Sequence, residues 1–173
     1  MNYFDNERNL YWAKMKENAV VPTKESENAG YDIYACFDED YILLEPHETK
    51  LIPTGVAWAS SEEFYLQIEE RSSTGSKGIK KSAGVIDSGY RGEIKIAITN
   101  SRNNNLIFSN LDEETLFEKY PNLKGGLVYQ TKKGIAQGIV HRVEKMNEKV
   151  ISYEELSKIS SNRGDKGWGS SGK

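Results

Sequence analysis

Three stretches of this 173-residue chain carry side chains of the kind that grip phosphate and move protons. The first is Arg71-Ser72-Ser73-Thr74-Gly75-Ser76-Lys77-Gly78, directly after a segment of alternating apolar and polar residues. A turn that combines a cation, hydroxyls, glycines and exposed backbone N–H groups supplies what an oligophosphate requires. The same composition also describes an ordinary solvated turn. The second is Gly84-Val85-Ile86-Asp87-Ser88-Gly89-Tyr90-Arg91-Gly92. A carboxylate ionised at neutral pH, as at Asp87, is able to act as a base towards water. Its plain alternative is the aspartate of a hairpin turn. Lys77, Lys80 and Lys81 with Arg71 and Arg91 concentrate positive charge here for an anion. The third is the polar tail 163–173, where Trp168 lies between glycines. An exposed indole is a liability, so a ring that closes over a base, with Arg163 and hydroxyls for phosphate, accounts for it.

These groups need elements to hold them. Apolar runs at 41–44 and 51–59 read as strands, and Phe64, Leu66 and Ile68 alternate with Tyr65, Gln67 and Glu69. Ile94, Ile96 and Ile98 alternate with Lys95, Ala97 and Thr99 in the same way. Strand-like texture resumes at 127–129 and 135–143, and glycine- and serine-rich turns punctuate it. Residues 1–18 read as a leader or short helix. Asp112 is placed to cap a helix that ends before Pro121, and Ser152 with Glu155 forms a capping box for a helix near 153–159. Ten tyrosines and fifteen glycines suit an all-β protein.

Composition removes several classes. A formal charge of −3 argues against direct nucleic-acid binding. No apolar run is long enough for a membrane span and no signal-peptide layout is present, so a cytoplasmic location is expected. One cysteine, Cys36, precludes an internal disulfide framework, and with His47 and His141 it offers too few ligands for a structural zinc site. An apolar fraction of 37% is low for one core, which points to extra burial at a subunit interface.

Taken in order, the motifs resemble those of the homotrimeric deoxyuridine triphosphate nucleotidohydrolases (dUTPases). The five are Ala29-Gly30-Tyr31-Asp32-Ile33, Arg71-Ser72-Ser73-Thr74-Gly75, the stretch from Gly84 to Gly92, Gly134-Ile135-Ala136-Gln137, and Arg163-Gly164 through Gly172. The resemblance implies an all-β jelly roll of the β-clip kind, one domain over 1–162, and a C-terminal arm, 163–173, reaching a neighbouring subunit. It implies hydrolysis of dUTP to dUMP and pyrophosphate, which limits uracil in DNA and supplies dUMP for thymidylate synthesis. Mg²⁺ would be held by the triphosphate and waters, with no side chain ligating it directly. By the same resemblance Asp87 activates the water that attacks the α-phosphorus and Asp32 is a supporting acid. The backbone of Gly84, Val85 and Ile86 reads uracil, and Tyr90 lies against the deoxyribose. Ser72 donates where charge builds on the leaving group, Arg71 and Gln137 hold phosphates, and Ser73 and Lys95 complete the substrate set. Arg163, Gly169, Ser170 and Ser171 close on the phosphates while Trp168 stacks on the base.

The chain departs from the family pattern at Lys81, where an asparagine is common, at Gly134, where an arginine is common, and over 101–128, which is longer than usual. That segment is either a surface excursion or a partner-binding element, and it resembles insertions of phage-encoded members, so a bacterial or phage-infected cell is the expected setting. A regulatory nucleotide-dependent binding protein acting through it is one alternative. Deoxycytidine triphosphate deaminase is another, although it needs a glutamate at the strand position held by Ala97.

Overall fold

A computed structural model describes residues 8–166 of the chain. The chain divides into two compact units, Met1–Val143 and Glu144–Lys173. Among the described residues the first unit is built from twelve strands, most of them three to six residues long. Strands β2 (Tyr31–Ile33), β12 (Ala136–Arg142), β6 (Phe64–Glu69) and β8 (Val85–Asp87) lie side by side in that order. A second sheet runs β4 (Thr49–Pro53), β9 (Lys95–Asn100), β7 (Ile79–Lys81), and a third runs β11 (Leu127–Gln130), β10 (Leu106–Ser109), β3 (Tyr41–Leu44). The remaining pair is β1 (Leu10–Lys14) against β5 (Val56–Ser60). The expected run at 51–59 is thus two strands joined through Thr54, whose buried hydroxyl donates to the Ile94 carbonyl at 2.6 Å.

Two expectations about elements are corrected. Within 1–18, residues Leu10–Lys14 form a strand rather than a helix, antiparallel to β5 with Trp12 opposite Trp58. Leu10 and Trp12 pack on the main core while Tyr11 points out, so the period is 2 and the aromatic residues favour the pleat. Within 101–128 lies β10, the central strand of its sheet, buried at every position. Leu106 and Phe108 enter the main core, whereas Ile107 enters a smaller one with Leu116 and Leu123. Both faces are covered, so no apolar–polar alternation marks this strand. The excursion is therefore 110–126, which joins two parallel strands through helix α2 (Glu113–Lys119). Asp112 caps α2 by accepting from the Thr115 N–H at 2.9 Å, as its sequence position predicts. Lys119 and Tyr120 tie the end of α2 to Asp40 beside β3.

The second unit contains helix α3 (Tyr153–Ser157), closed by the expected capping box of Ser152 and Glu155. Among the described residues no helix is long and apolar enough to cross a membrane.

Candidate active site

The first cleft arises where three strands end together. Gln137 on β12 stands opposite both Asp32 on β2 and Glu69 on β6, so the three side chains share one face. Two residues past Glu69 the chain leaves β6 at Arg71 and turns into α1 (Ser72–Gly75). Thr74, fully buried, closes that turn: its hydroxyl donates to the Arg71 carbonyl at 2.9 Å and accepts from the Arg71 N–H at 3.1 Å. The Arg71 guanidinium then meets Asp32 side-on, Nε to Oδ1 at 2.8 Å and Nη2 to Oδ2 at 3.0 Å. Its Nη1 donates to the Gly134 carbonyl at 2.9 Å. Three of the five guanidinium N–H groups are thereby engaged and two are left for an incoming anion.

Gln137 is held by donation from Nε2 to the Glu70 carbonyl at 2.8 Å. The resulting cleft, about 360 Å³, is lined by Asn28, Ala29, Gly30, Asp32, Arg71, Ser72, Ser73 and Gln137. Packing around Gly134 is tight. A Cβ on it would lie 3.2 Å from the Asp32 Cβ and 3.3 Å from Cδ and Cζ of Arg71. A side chain at 134 would have to displace Asp32 or Arg71 by a few tenths of an ångström.

The second cleft, about 310 Å³, is lined by Leu51, Val85, Ile86, Asp87, Tyr90, Glu93 and Lys95. The stretch from Gly84 to Gly92 is not a free-standing hairpin: β8 pairs with β6, and β9 belongs to another sheet. Strand β8 is an edge. Because the Ile68 N–H donates to the Gly84 carbonyl at 2.7 Å, Ile86 faces β6 with its backbone groups, while those of Val85 and Asp87 face outward. The turn after β8 closes when the Tyr90 N–H donates to the Asp87 carbonyl at 3.1 Å and the Tyr90 hydroxyl to the Glu93 carbonyl at 3.0 Å. The ring folds over Gly92, where a Cβ would sit 2.4 Å from the phenol oxygen. Lys95 faces Glu93, Nζ to Oε2 at 3.7 Å, and Glu93 also accepts the Gly55 N–H at 2.9 Å. Lys81 pairs with Glu69 at 3.3 Å, and Ala97 is a buried methyl on β9.

The motif residues thus divide into two groups. Asp32, Arg71, Ser72, Ser73 and Gln137 come together in one cleft, and Val85, Ile86, Asp87, Tyr90 and Lys95 in another that shares no lining residue with it. Along β6, Asp87 stands opposite Tyr65 and Gln137 opposite Glu69, about 13 Å further on at about 3.3 Å per residue, and the Arg71 turn lies beyond the end of the strand. Arg163 belongs to the second unit, where its Nε donates to the Lys166 carbonyl at 2.7 Å. Trp168, Gly169, Ser170 and Ser171 lie outside the described residues. Glu70 and the lining residues Asn28, Leu51 and Glu93 were not singled out by sequence, and Thr74 was named within its motif without a role of its own. Thr74 alone had a signal, being the hydroxyl three residues after the arginine at a strand end.

By fold, the chain is an all-β protein of the kind seen in the G164S mutant of a Staphylococcus bacteriophage 80alpha dUTPase with dUpNHpp. The two structures superpose with a TM-score of 0.71 at 23% identity, covering 95% of this chain and 99% of that one. A family model described as dUTPase matches residues 16–111. A deoxyuridine 5'-triphosphate nucleotidohydrolase of Nautilia profundicola is 32% identical over 92% of this chain and 96% of its own length. One from Leptospira interrogans is 40% identical over 53% of this chain, and the match spans 65% of that relative's length. The chain belongs to the dUTPase family.

Proposed function

We propose that the protein hydrolyses dUTP to dUMP and pyrophosphate in a composite site, its polar cleft supplied by one copy of the chain and its Asp87 cleft by another. The observation that carries this reading is the separation of the two clefts along β6. An attacking water at Asp87 and a phosphate at Arg71 and Ser72 belong to the same reaction, and about 13 Å of β6, with the Arg71 turn beyond its end, keeps them apart within one chain. A homotrimer like that of the family brings the halves together.

In the Asp87 cleft the outward N–H and C=O of Val85 form a donor–acceptor pair, as uracil requires. The carbonyl accepts from N3–H and the N–H donates to an adjacent exocyclic carbonyl oxygen, whereas cytosine turns a lone pair towards the carbonyl. Close backbone at 84–86 leaves no room for a 5-methyl group, and the Tyr90 ring beside the sugar rejects a 2′-hydroxyl. Asp87 takes a proton from water in line with the α-phosphorus. In the polar cleft the two remaining Arg71 donors, Ser72, Ser73 and Gln137 hold the oxygens on which charge develops. Asp32 keeps the guanidinium aimed. Lys95 screens charge beside Asp87. Residues 163–173 act as an arm over the site of a neighbouring copy, Arg163, Gly169, Ser170 and Ser171 facing phosphate and Trp168 the base.

Among the described residues no three His, Cys, Asp or Glu side chains are grouped to hold a metal ion. Mg²⁺ carried on the triphosphate and its waters would neutralise phosphate charge during the displacement. The testing experiment offers dUTP, dCTP, dTTP and UTP with Mg²⁺ and follows pyrophosphate and ammonia together. Pyrophosphate from dUTP alone supports the reading. Ammonia from dCTP, or no turnover of dUTP, overturns it.

A further inference from the structure

Arg71 is held by two acceptors, and the second of them has a support of its own. The Gly134 carbonyl that takes Arg71 Nη1 at 2.9 Å also accepts the hydroxyl of Tyr129 at 2.9 Å. Tyr129 is 3% exposed and stands on β11, in a different sheet from the strands that carry Asp32 and Gln137. Its ring is fixed edge-on to Phe108, centroids 5.9 Å apart, and Lys77 Nζ lies 5.7 Å from the ring centre. The neighbouring backbone is tied down as well, the Ile135 N–H donating to the Ile33 carbonyl at 2.8 Å.

A carbonyl oxygen offers two lone pairs, and here one goes to a rigid buried phenol and the other to the guanidinium. Without the phenol, the Gly134–Ile135 peptide keeps only the Ile135 N–H bond to Ile33 as an anchor, and the carbonyl that Arg71 meets is free to tilt about it. We propose that Tyr129 is a positioning residue: through the Gly134 carbonyl its hydroxyl holds the Arg71 fork in the orientation that leaves two N–H groups for phosphate. This rests on the reading of the polar cleft as the triphosphate site.

Tyr129→Phe removes one oxygen and keeps the ring against Phe108. The wild-type protein and the variant are assayed with dUTP and Mg²⁺, and their binding of the non-cleavable α,β-imido analogue and of deoxyuridine is measured. The expected result is a fall in kcat/KM of about 3- to 15-fold, the size of one hydrogen bond, with analogue binding weakened similarly and deoxyuridine binding unchanged. In an Arg71→Ala background, Tyr129→Phe should then add nothing. Equal weakening of both ligands, unchanged kinetics, or an undiminished effect beside Arg71→Ala overturns the inference. Tyr129→Met carries the same comparison if the phenylalanine variant does not fold. Failure of the wild-type protein to cleave dUTP would count against the proposed function instead.

Discussion

Replacing Arg71 with lysine keeps the charge and removes the fork, which makes it a sharp test of the polar cleft. The guanidinium serves Asp32 through two N–H groups and Gly134 through a third, and in the proposed site the remaining two serve phosphate. An ammonium offers three donors from a single atom and cannot reach all three partners. The pair with Asp32 is partly open, with side-chain exposures of 29% and 31%, so its loss costs stability only about 1 kcal/mol. The phosphate contacts are charge-assisted, and losing two costs transition-state binding roughly 2–4 kcal/mol, about 30- to 1,000-fold in kcat/KM. Pyrophosphate release under kcat/KM conditions, alongside a thermal melt, separates the two effects. A variant within about threefold of wild type would refute the assignment of phosphate to Arg71. So would a large stability loss that by itself explained the rate.

Other outcomes follow from the same structure. Asn100 is fully buried, its amide donating to the carbonyls of Leu44, Glu45 and Asn104 and its oxygen accepting the Arg102 N–H. Asn100→Ala should cost about 2–4 kcal/mol and lower the melting temperature by about 5–15 °C, read by calorimetry. The Lys119 ammonium, and then the Tyr120 hydroxyl, hold the Asp40 carboxyl below the usual carboxylate range. A depressed folded-state value stabilises above the ordinary aspartate pKa and loses its effect as pH falls through the folded value. Asp40→Asn should therefore lower the melting temperature at neutral pH, with the deficit shrinking as pH falls below the ordinary aspartate value. Excising 110–126 uncovers Ile107, Leu43 and Val128, so the shortened protein should bind a hydrophobic dye or precipitate, whereas a soluble, active product would contradict the packing of α2 on β10.

The legible parts of the fold were those whose signal is local. The alternations of β6 and β9, the Asp112 cap and the Ser152–Glu155 box each depend on residues within a few positions of one another. Strand β10 was hidden because Leu106, Ile107 and Phe108 serve two cores on opposite faces and show no period, and β1 because its partner β5 is more than forty residues away. The site shows the same divide. Motif order singled out Arg71, Ser72 and Ser73 of the turn that lines the polar cleft, but Asp32, Arg71 and Gln137 meet only through the register of β2, β12 and β6. Nothing in residue spacing indicates that the Gly134 carbonyl joins Arg71 to Tyr129.

The central claim is that the Asp87 carboxylate primes water for attack on a nucleotide whose phosphates lie in the other cleft. Single-turnover cleavage of dUTP by Asp87→Asn, with binding of the α,β-imido analogue measured on the same preparation, tests it most directly. Chemistry should slow about 10²- to 10⁴-fold with binding retained; cleavage at close to the wild-type rate would remove Asp87 from the base role.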